Sequence, residues 1–165
     1  MSLNLLKIAP FVPLFEKNWH LIYSEYLLIK DQTVPWPEFD IYEGNWRTFG
    51  LFDFPLGNKT SNTNLAPFTS HLIENYIPSH GAAGYSILKA NTVIEPHMGY
   101  QGDYLRIHLG LEIPDGDCGL RSQGGIKRWT EGKIFIFDDR LIHEAWNKTE
   151  NDRVALIIDF IPEKP

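Results

Sequence analysis

The pattern of hydrophobic and polar positions divides the chain into one helical segment followed by a series of short strands. Over residues 14–30 the apolar positions recur every three or four residues, which predicts an amphipathic helix with Pro13 in its first turn. Beyond it, short apolar runs lie between Gly, Pro, Asn and Asp, which is typical of strands and turns. The predicted strands are 46–52, 85–88, 92–95, 104–111, 119–121, 133–137, 141–146 and 153–161.

Eight closely spaced strands after one helix favour a sandwich or a jelly-roll barrel. A chain of 165 residues is long enough for one well-cored domain and short for two. We therefore expect a single domain over 1–165, with a helical part over about 1–45 and a mainly β core over about 46–162. The polar segment 58–64 is expected to be a mobile loop or lid.

Composition and charge exclude some functions. Apolar residues make up 43% of the chain and charged residues 22%, as in an ordinary globular protein. The net charge of −6 argues against a nucleic-acid partner, which requires a basic face. Cys118 is the single cysteine, and neither a signal peptide nor a membrane-spanning run is evident. We expect a cytoplasmic protein without a membrane partner, and its oligomeric state stays open.

The strand 104–111 places two cationic side chains on one face. If Leu105, Ile107 and Leu109 fill one side of the strand, Arg106 and His108 must share the other side. In a small barrel that side faces the lumen, where buried cations are costly unless they are paired. In an open sheet it faces water. Both interpretations are consistent with this strand alone.

Three further residues suit a metal and a small dicarboxylate. His97 follows a predicted strand, His143 follows an acidic turn, and Arg153 begins the most hydrophobic strand. Imidazole binds Fe(II), Zn and Ni alike, and guanidinium is a preferred partner for a carboxylate. Taken singly, each histidine is also consistent with a solvent-exposed loop, and Arg153 with a strand end that reaches water. The combination favours a metal site with an anion-binding arginine.

The motifs around these residues resemble a known family. They are Tyr85-Ser-Ile-Leu88, Pro96-His97 with Gly99, Leu105-Arg-Ile-His-Leu-Gly-Leu111, Ile113-Pro114, Trp129-x-Glu-Gly-Lys133, Phe137-Asp-Asp139, His143-Glu144 and Arg153. Together they resemble the catalytic domain of aspartyl/asparaginyl β-hydroxylases, closely over about 84–162 and more weakly through 44–49. The resemblance implies a double-stranded β-helix, that is, a cupin-like jelly roll, with an N-terminal helix packed on the barrel.

The resemblance also implies a 2-oxoglutarate-dependent dioxygenase that uses Fe(II) and O₂. His97 and His143 would hold the iron. Most such oxygenases have a carboxylate two residues after the first histidine, whereas this chain has Gly99, as the resembled family does. Either a water or Asp103 is left to complete the iron shell.

Further roles follow from the same resemblance. Ser86 and Arg153 would bind the distal carboxylate of 2-oxoglutarate, and Arg106 and His108 would lie near its iron-chelating end. Tyr104 replaces an arginine that helps the animal members to recognise a substrate carboxylate. The expected reaction is hydroxylation of an unactivated C–H, with the β-carbon of Asp, Asn or a related small amino acid as the target, free, carrier-bound or in a peptide. The alternative is a non-catalytic, cupin-like module that binds a metal or a small acid.

Overall fold

The chain forms four α-helices and twelve β-strands in a computed structural model that describes residues 3–164. Met1, Ser2 and Pro165, the ends of the expected 1–165 domain, lie outside the described residues. The helices are α1 (Leu3–Ile8), α2 (Val12–Lys17), α3 (Trp19–Ile29) and α4 (Pro67–Tyr76). The strands are β1 (Val34–Pro35), β2 (Tyr42–Glu43), β3 (Trp46–Asp53), β4 (Asn58–Lys59), β5 (His80–Leu88), β6 (Thr92–His97), β7 (Leu105–Glu112), β8 (Cys118–Ser122), β9 (Gly125–Lys127), β10 (Ile134–Phe137), β11 (His143–Asn147) and β12 (Arg153–Phe160).

The strands form two antiparallel sheets. The larger sheet has the order β1-β3-β5-β12-β7-β10, with β4 paired to β3, and the smaller has the order β2-β6-β11-β8-β9. All eight strands expected from the sequence are present, with ends shifted by a few residues. The short strands β1, β2, β4 and β9 were not predicted, and two of them precede residue 46. The architecture is a mainly β jelly roll, as the resemblance implied.

Alternation along the central strands separates a core from a pocket. In β7, Ile107 and Leu109 belong to the main apolar core, whereas Arg106 and His108 line a pocket. The period-two prediction for this strand is therefore confirmed, and its second face is the lumen. In β12, the residues that alternate with Arg153 (Val154, Leu156, Ile158 and Phe160) are buried in the same apolar core.

The N-terminal helices cover the outer face of the larger sheet. Phe15, Ile22 and Tyr26 are buried in the core with the outward residues of β7 and β12. The single helix predicted over 14–30 is wrong, because the chain breaks at Asn18 between α2 and α3. The Asn18 side-chain amide donates to the Leu14 carbonyl at 2.8 Å, a local bond that competes with the regular helix.

Two further segments differ from expectation. Helix α4 was not predicted, since the groups that cap its start come from elsewhere: the backbone N–H groups of Phe68 and Thr69 donate to the Glu25 carboxylate of α3 at 3.0 and 2.7 Å. The expected mobile segment 58–64 is instead tied to β3, because the Thr60 hydroxyl donates to the Leu51 carbonyl at 3.1 Å. Over residues 3–164, no helix is both long and apolar enough to cross a membrane.

Candidate active site

A cavity of about 530 Å³ lies between the two sheets and is lined by strands of both. All six residues singled out from the sequence line this cavity: Ser86, His97, Arg106, His108, His143 and Arg153. They come from β5, β6, β7, β11 and β12, so the tertiary fold brings them together from distant parts of the chain.

The two candidate metal ligands are neighbours across a strand pair. His97 of β6 lies opposite His143 of β11, and their ring centroids are 4.3 Å apart. Nδ1 of His97 donates to the Glu95 carbonyl at 2.7 Å, and Nδ1 of His143 donates to the Leu141 carbonyl at 2.8 Å. A carbonyl can only accept, so each neutral ring keeps its lone pair at Nε2, the form that binds metals. Burial lowers the pKa of His97, which favours this neutral form.

Asp139, which belongs to one of the family motifs but had no predicted role, lies beside this pair. Oδ1 of Asp139 lies 3.2 Å from Nε2 of His143. A lone pair that faces a carboxylate oxygen is repulsive unless a proton or a cation lies between them. Imidazole and carboxylate together suit a divalent transition metal such as Fe(II). Within the described chain, no group of three or more His, Cys, Asp or Glu residues is arranged to hold a metal ion, and the candidate ligand set is the histidine pair.

Arg106 is occupied by two carboxylates of the protein. Its Nε and Nη2 donate to Asp159 at 2.6 and 3.0 Å, and its Nη1 donates to Asp139 at 2.9 Å. Burial disfavours the charge, but Asp159 and Asp139 hold the pKa of Arg106 above its ordinary value. The sequence expectation placed Arg106 at the iron-chelating end of 2-oxoglutarate. The structure shows that it also holds the Asp139 carboxylate against His143.

Arg153 is the opposite case, a buried cation with no anionic partner in the part of the chain that the structure describes. It is only 2% exposed, and Nη2 donates to the Ser86 hydroxyl at 3.1 Å. Its guanidinium carbon lies 4.6 Å from the centroid of the Trp129 ring. Nε and Nη1 have no hydrogen-bond partner among residues 3–164, and burial lowers the pKa of Arg153 to about 10. Such a group is costly in the folded protein until an anion binds to it.

Two neutral donors complete this anion site. The Ser86 hydroxyl accepts from both Arg153 and the Trp46 indole N–H (2.9 Å), so its own hydrogen is free to donate. The Trp129 indole N–H donates to Nδ1 of His108 at 3.0 Å, which leaves the hydrogen of a neutral ring on Nε2. That Nε2 has no partner in the described part of the chain. Burial, with nearby guanidinium charges, lowers the pKa of His108 well below its ordinary value, so it is a neutral donor.

Asp159, which pairs with Arg106, was not predicted from the sequence as part of the site. Asp159 lies in a strand whose other residues after Arg153 are apolar, and a carboxylate in such a run is a signal for a buried partner. Asp103, the alternative third ligand, is exposed and does not line the cavity. The indole ring of Trp46 lines the cavity, whereas the Trp146 N–H donates to Asp117 at 2.6 Å on another part of the molecule.

The fold and the site together define a double-stranded β-helix protein whose lumen holds a histidine pair and a buried arginine that has no anionic partner among the described residues. The fold is shared with a solved prolyl-4-hydroxylase of Pseudomonas putida, at a TM-score of 0.58 and 12% sequence identity, over 90% of this chain and 88% of that one. The family profile described as aspartyl/asparaginyl beta-hydroxylase matches residues 16–162. The chain belongs to this family, which confirms the resemblance noted in its motifs.

Relatives in this family have different substrates in their names. An aspartyl/asparaginyl beta-hydroxylase of Mus musculus is 35% identical over an alignment of 153 positions, and the match covers 87% of this chain and 20% of the relative. An ornithine lipid ester-linked acyl 2-hydroxylase of Rhizobium tropici is 36% identical over 118 residues, 70% of this chain and 41% of the relative. The chain thus spans less than half the length of either protein.

Proposed function

We propose that this chain is an Fe(II)- and 2-oxoglutarate-dependent dioxygenase that hydroxylates an unactivated C–H bond. The observation that carries the proposal is Arg153, a buried guanidinium whose Nε and Nη1 have no hydrogen-bond partner among the described residues, in the same cavity as His97 and His143. The hydroxylase family and the shared fold support the same class. When bound, Fe(II), 2-oxoglutarate and O₂ supply the oxidising power: one oxygen atom converts C–H to C–OH, and the other enters succinate as CO₂ leaves.

Different residues of the cavity would bind the iron and the two ends of 2-oxoglutarate. Nε2 of His97 and of His143 would hold the iron. The distal carboxylate of 2-oxoglutarate would accept from Arg153 and from the Ser86 hydroxyl, which gives each of these buried donors a partner. The Nε2–H of His108 would donate to an oxygen nearer the iron-chelating end. The substrate carbon would be held at the mouth of the cavity.

The acceptor carbon is a separate part of the proposal. The sequence resemblance favours the β-carbon of Asp, Asn or a related small amino acid, free, carrier-bound or in a peptide. The name of the Rhizobium tropici relative adds an acyl chain as a second class. We place the reaction in the cytoplasm, on the basis of the single, unpaired Cys118.

The test is binding of 2-oxoglutarate, measured by anaerobic calorimetry with and without Fe(II), followed by succinate release. Arg153→Met should abolish 2-oxoglutarate binding, and His97→Ala should remove the effect of iron. Arg121→Met is the matched control, because Arg121 is exposed and paired with Glu144 outside the cavity. Lack of 2-oxoglutarate binding by the unaltered protein would refute the proposal. Binding without succinate release, across amino acids, amides and acyl amines, would favour the non-catalytic module.

A further inference from the structure

The mouth of the cavity is apolar and exposed. Phe54 and Met98 line it with 63% and 61% of their surface accessible, and Tyr100 lies beside them. The rings of Phe54 and Tyr100 meet edge to face, with centroids 5.5 Å apart, so two separate loops form one apolar rim. Exposed apolar groups that surround a pocket are typical of a surface that a ligand covers.

The charges at this mouth are negative. Glu38 and Asp53 are exposed and line the same cavity, and neither forms a salt bridge with another described residue. The Trp36 indole N–H donates to Glu38 at 3.2 Å, which holds this carboxylate beside the aromatic wall. Two carboxylates beside an apolar rim favour a cationic ligand and repel an anionic one.

Among residues 3–164, no lysine or arginine at the mouth is left to pair with an acidic substrate. Arg106 and Arg153 are the only lysine or arginine side chains among the lining residues of the cavity, as far as the structure describes them. Arg106 is already bound by two carboxylates, and Arg153 is assigned to 2-oxoglutarate. Tyr104 does not line the cavity and packs on Gly81, where an added Cβ would lie 2.8 Å from the tyrosine ring.

We infer that the substrate presents an apolar group beside a protonated amine and has no free carboxylate. An apolar aminoacyl group whose carboxylate is tied up as an amide or a thioester has this chemistry. Its amine would be attracted by the carboxylates of Glu38 and Asp53, and its side chain would cover Phe54 and Met98. This inference rests on the proposed function, because that function assigns Arg153 to the co-substrate. Among the acceptors proposed there, it selects a small amino acid other than Asp whose own carboxylate is bound in an amide or a thioester.

The experiment compares four soluble probes by calorimetry with iron-free protein saturated with 2-oxoglutarate, so that Arg153 is occupied and cannot bind the carboxylate of a probe. Leucinamide and N-acetylleucine share one side chain but carry opposite charges, glycinamide keeps the amine without the apolar group, and aspartate is the acidic probe. Leucinamide should bind at least about tenfold more tightly than each of the other three. Equal or tighter binding of N-acetylleucine or aspartate would overturn the inference, as would no binding of leucinamide at about 10 mM.

Variants identify the groups responsible. Glu38→Gln and Asp53→Asn should each weaken leucinamide binding about threefold, as expected for exposed charge pairs, and leave N-acetylleucine no weaker. Glu150→Gln is the matched control. Glu150 is an exposed carboxylate in the turn that follows β11, and His143 lies at the opposite end of that strand. If the control weakens leucinamide equally, the rim carboxylates are not the site.

Failure of this inference differs from failure of the proposed function. The amine preference is a binding measurement that needs neither iron nor turnover. Lack of 2-oxoglutarate binding by the unaltered protein would refute the proposed function and the inference with it, because Arg153 would then be open to an acidic probe. Normal 2-oxoglutarate binding with a preference for aspartate would refute the inference alone.

Discussion

The carboxylate of Asp139 occupies the space in front of Gly99. A Cβ added to Gly99 would lie 1.6 Å from Oδ2 of Asp139, and the Gly99 N–H donates to the Asp139 carbonyl at 2.7 Å. The position two residues after His97, where a third metal ligand is common, thus has no room for a side chain, because an acid from the turn before β11 fills it. The glycine at position 99 and the acidic turn therefore depend on each other, because the Asp139 carboxylate fits only where position 99 has no side chain.

Gly99→Ala should therefore displace Asp139 and lower the free energy of unfolding by about 1–3 kcal/mol, measured by urea denaturation. Asp139→Ala removes the clashing carboxylate, so the double variant should lose less than the sum of the single losses. Strictly additive losses would mean that the two residues do not compete for the same space.

Trp46 is expected to affect co-substrate binding through Ser86. Trp46→Phe keeps an aromatic ring against Trp36, whose centroid is 4.0 Å away, but removes the hydrogen bond to the Ser86 hydroxyl. Without it the hydroxyl is less well oriented, and the Kd for 2-oxoglutarate should rise about fivefold. Trp146→Phe, which loses a comparable bond to Asp117 outside the cavity, should leave that Kd unchanged. An unchanged Kd in Trp46→Phe would show that Trp46 does not contribute to 2-oxoglutarate binding.

Stability at alkaline pH should depend on Tyr26 in the helical layer. Burial, with the charge of Glu112, raises the pKa of Tyr26 to about 12. In the unfolded chain the phenol titrates near about 10, so its stabilising effect is complete below that pH and is lost as the pH rises through about 12. Tyr26→Phe should lose less stability than the unaltered protein between about pH 9 and about pH 11, measured by urea midpoints. An identical loss in both proteins would show that Tyr26 does not couple to folding.

The sequence predicted which side of a strand a residue lies on better than it predicted which residues that side chain contacts. Alternation along β7 was enough to place Arg106 and His108 on one side, because the period of a strand does not depend on its neighbours. That Asp159 lies beside Arg106 depends on the register of β12 against β7, which joins residues far apart in the chain. Helix α4 was not predicted for a similar reason, since the side chain that caps it is Glu25 of another helix.

The two arginines that line the cavity allow the sharpest test of the site. Arg106 has two carboxylate partners, whereas Arg153 has a hydroxyl and an aromatic ring. The same substitution should therefore have opposite effects. Arg106→Met leaves two buried carboxylates without their cation and should lower the free energy of unfolding by about 3–5 kcal/mol. Arg153→Met removes an unpaired buried charge and should raise it by about 1–3 kcal/mol in the absence of ligand.

Added 2-oxoglutarate should then distinguish a binding residue from a merely buried one. Saturating co-substrate should raise the thermal midpoint of the unaltered protein, because a ligand that binds only the folded state stabilises it. Arg153→Met should show no such rise, although it begins from a higher midpoint. Thermal denaturation with and without the ligand measures both effects. If Arg153→Met were destabilised without ligand as strongly as Arg106→Met, Arg153 would be a structural residue held by Ser86 and Trp129, and its assignment to an anion from outside the protein would be wrong.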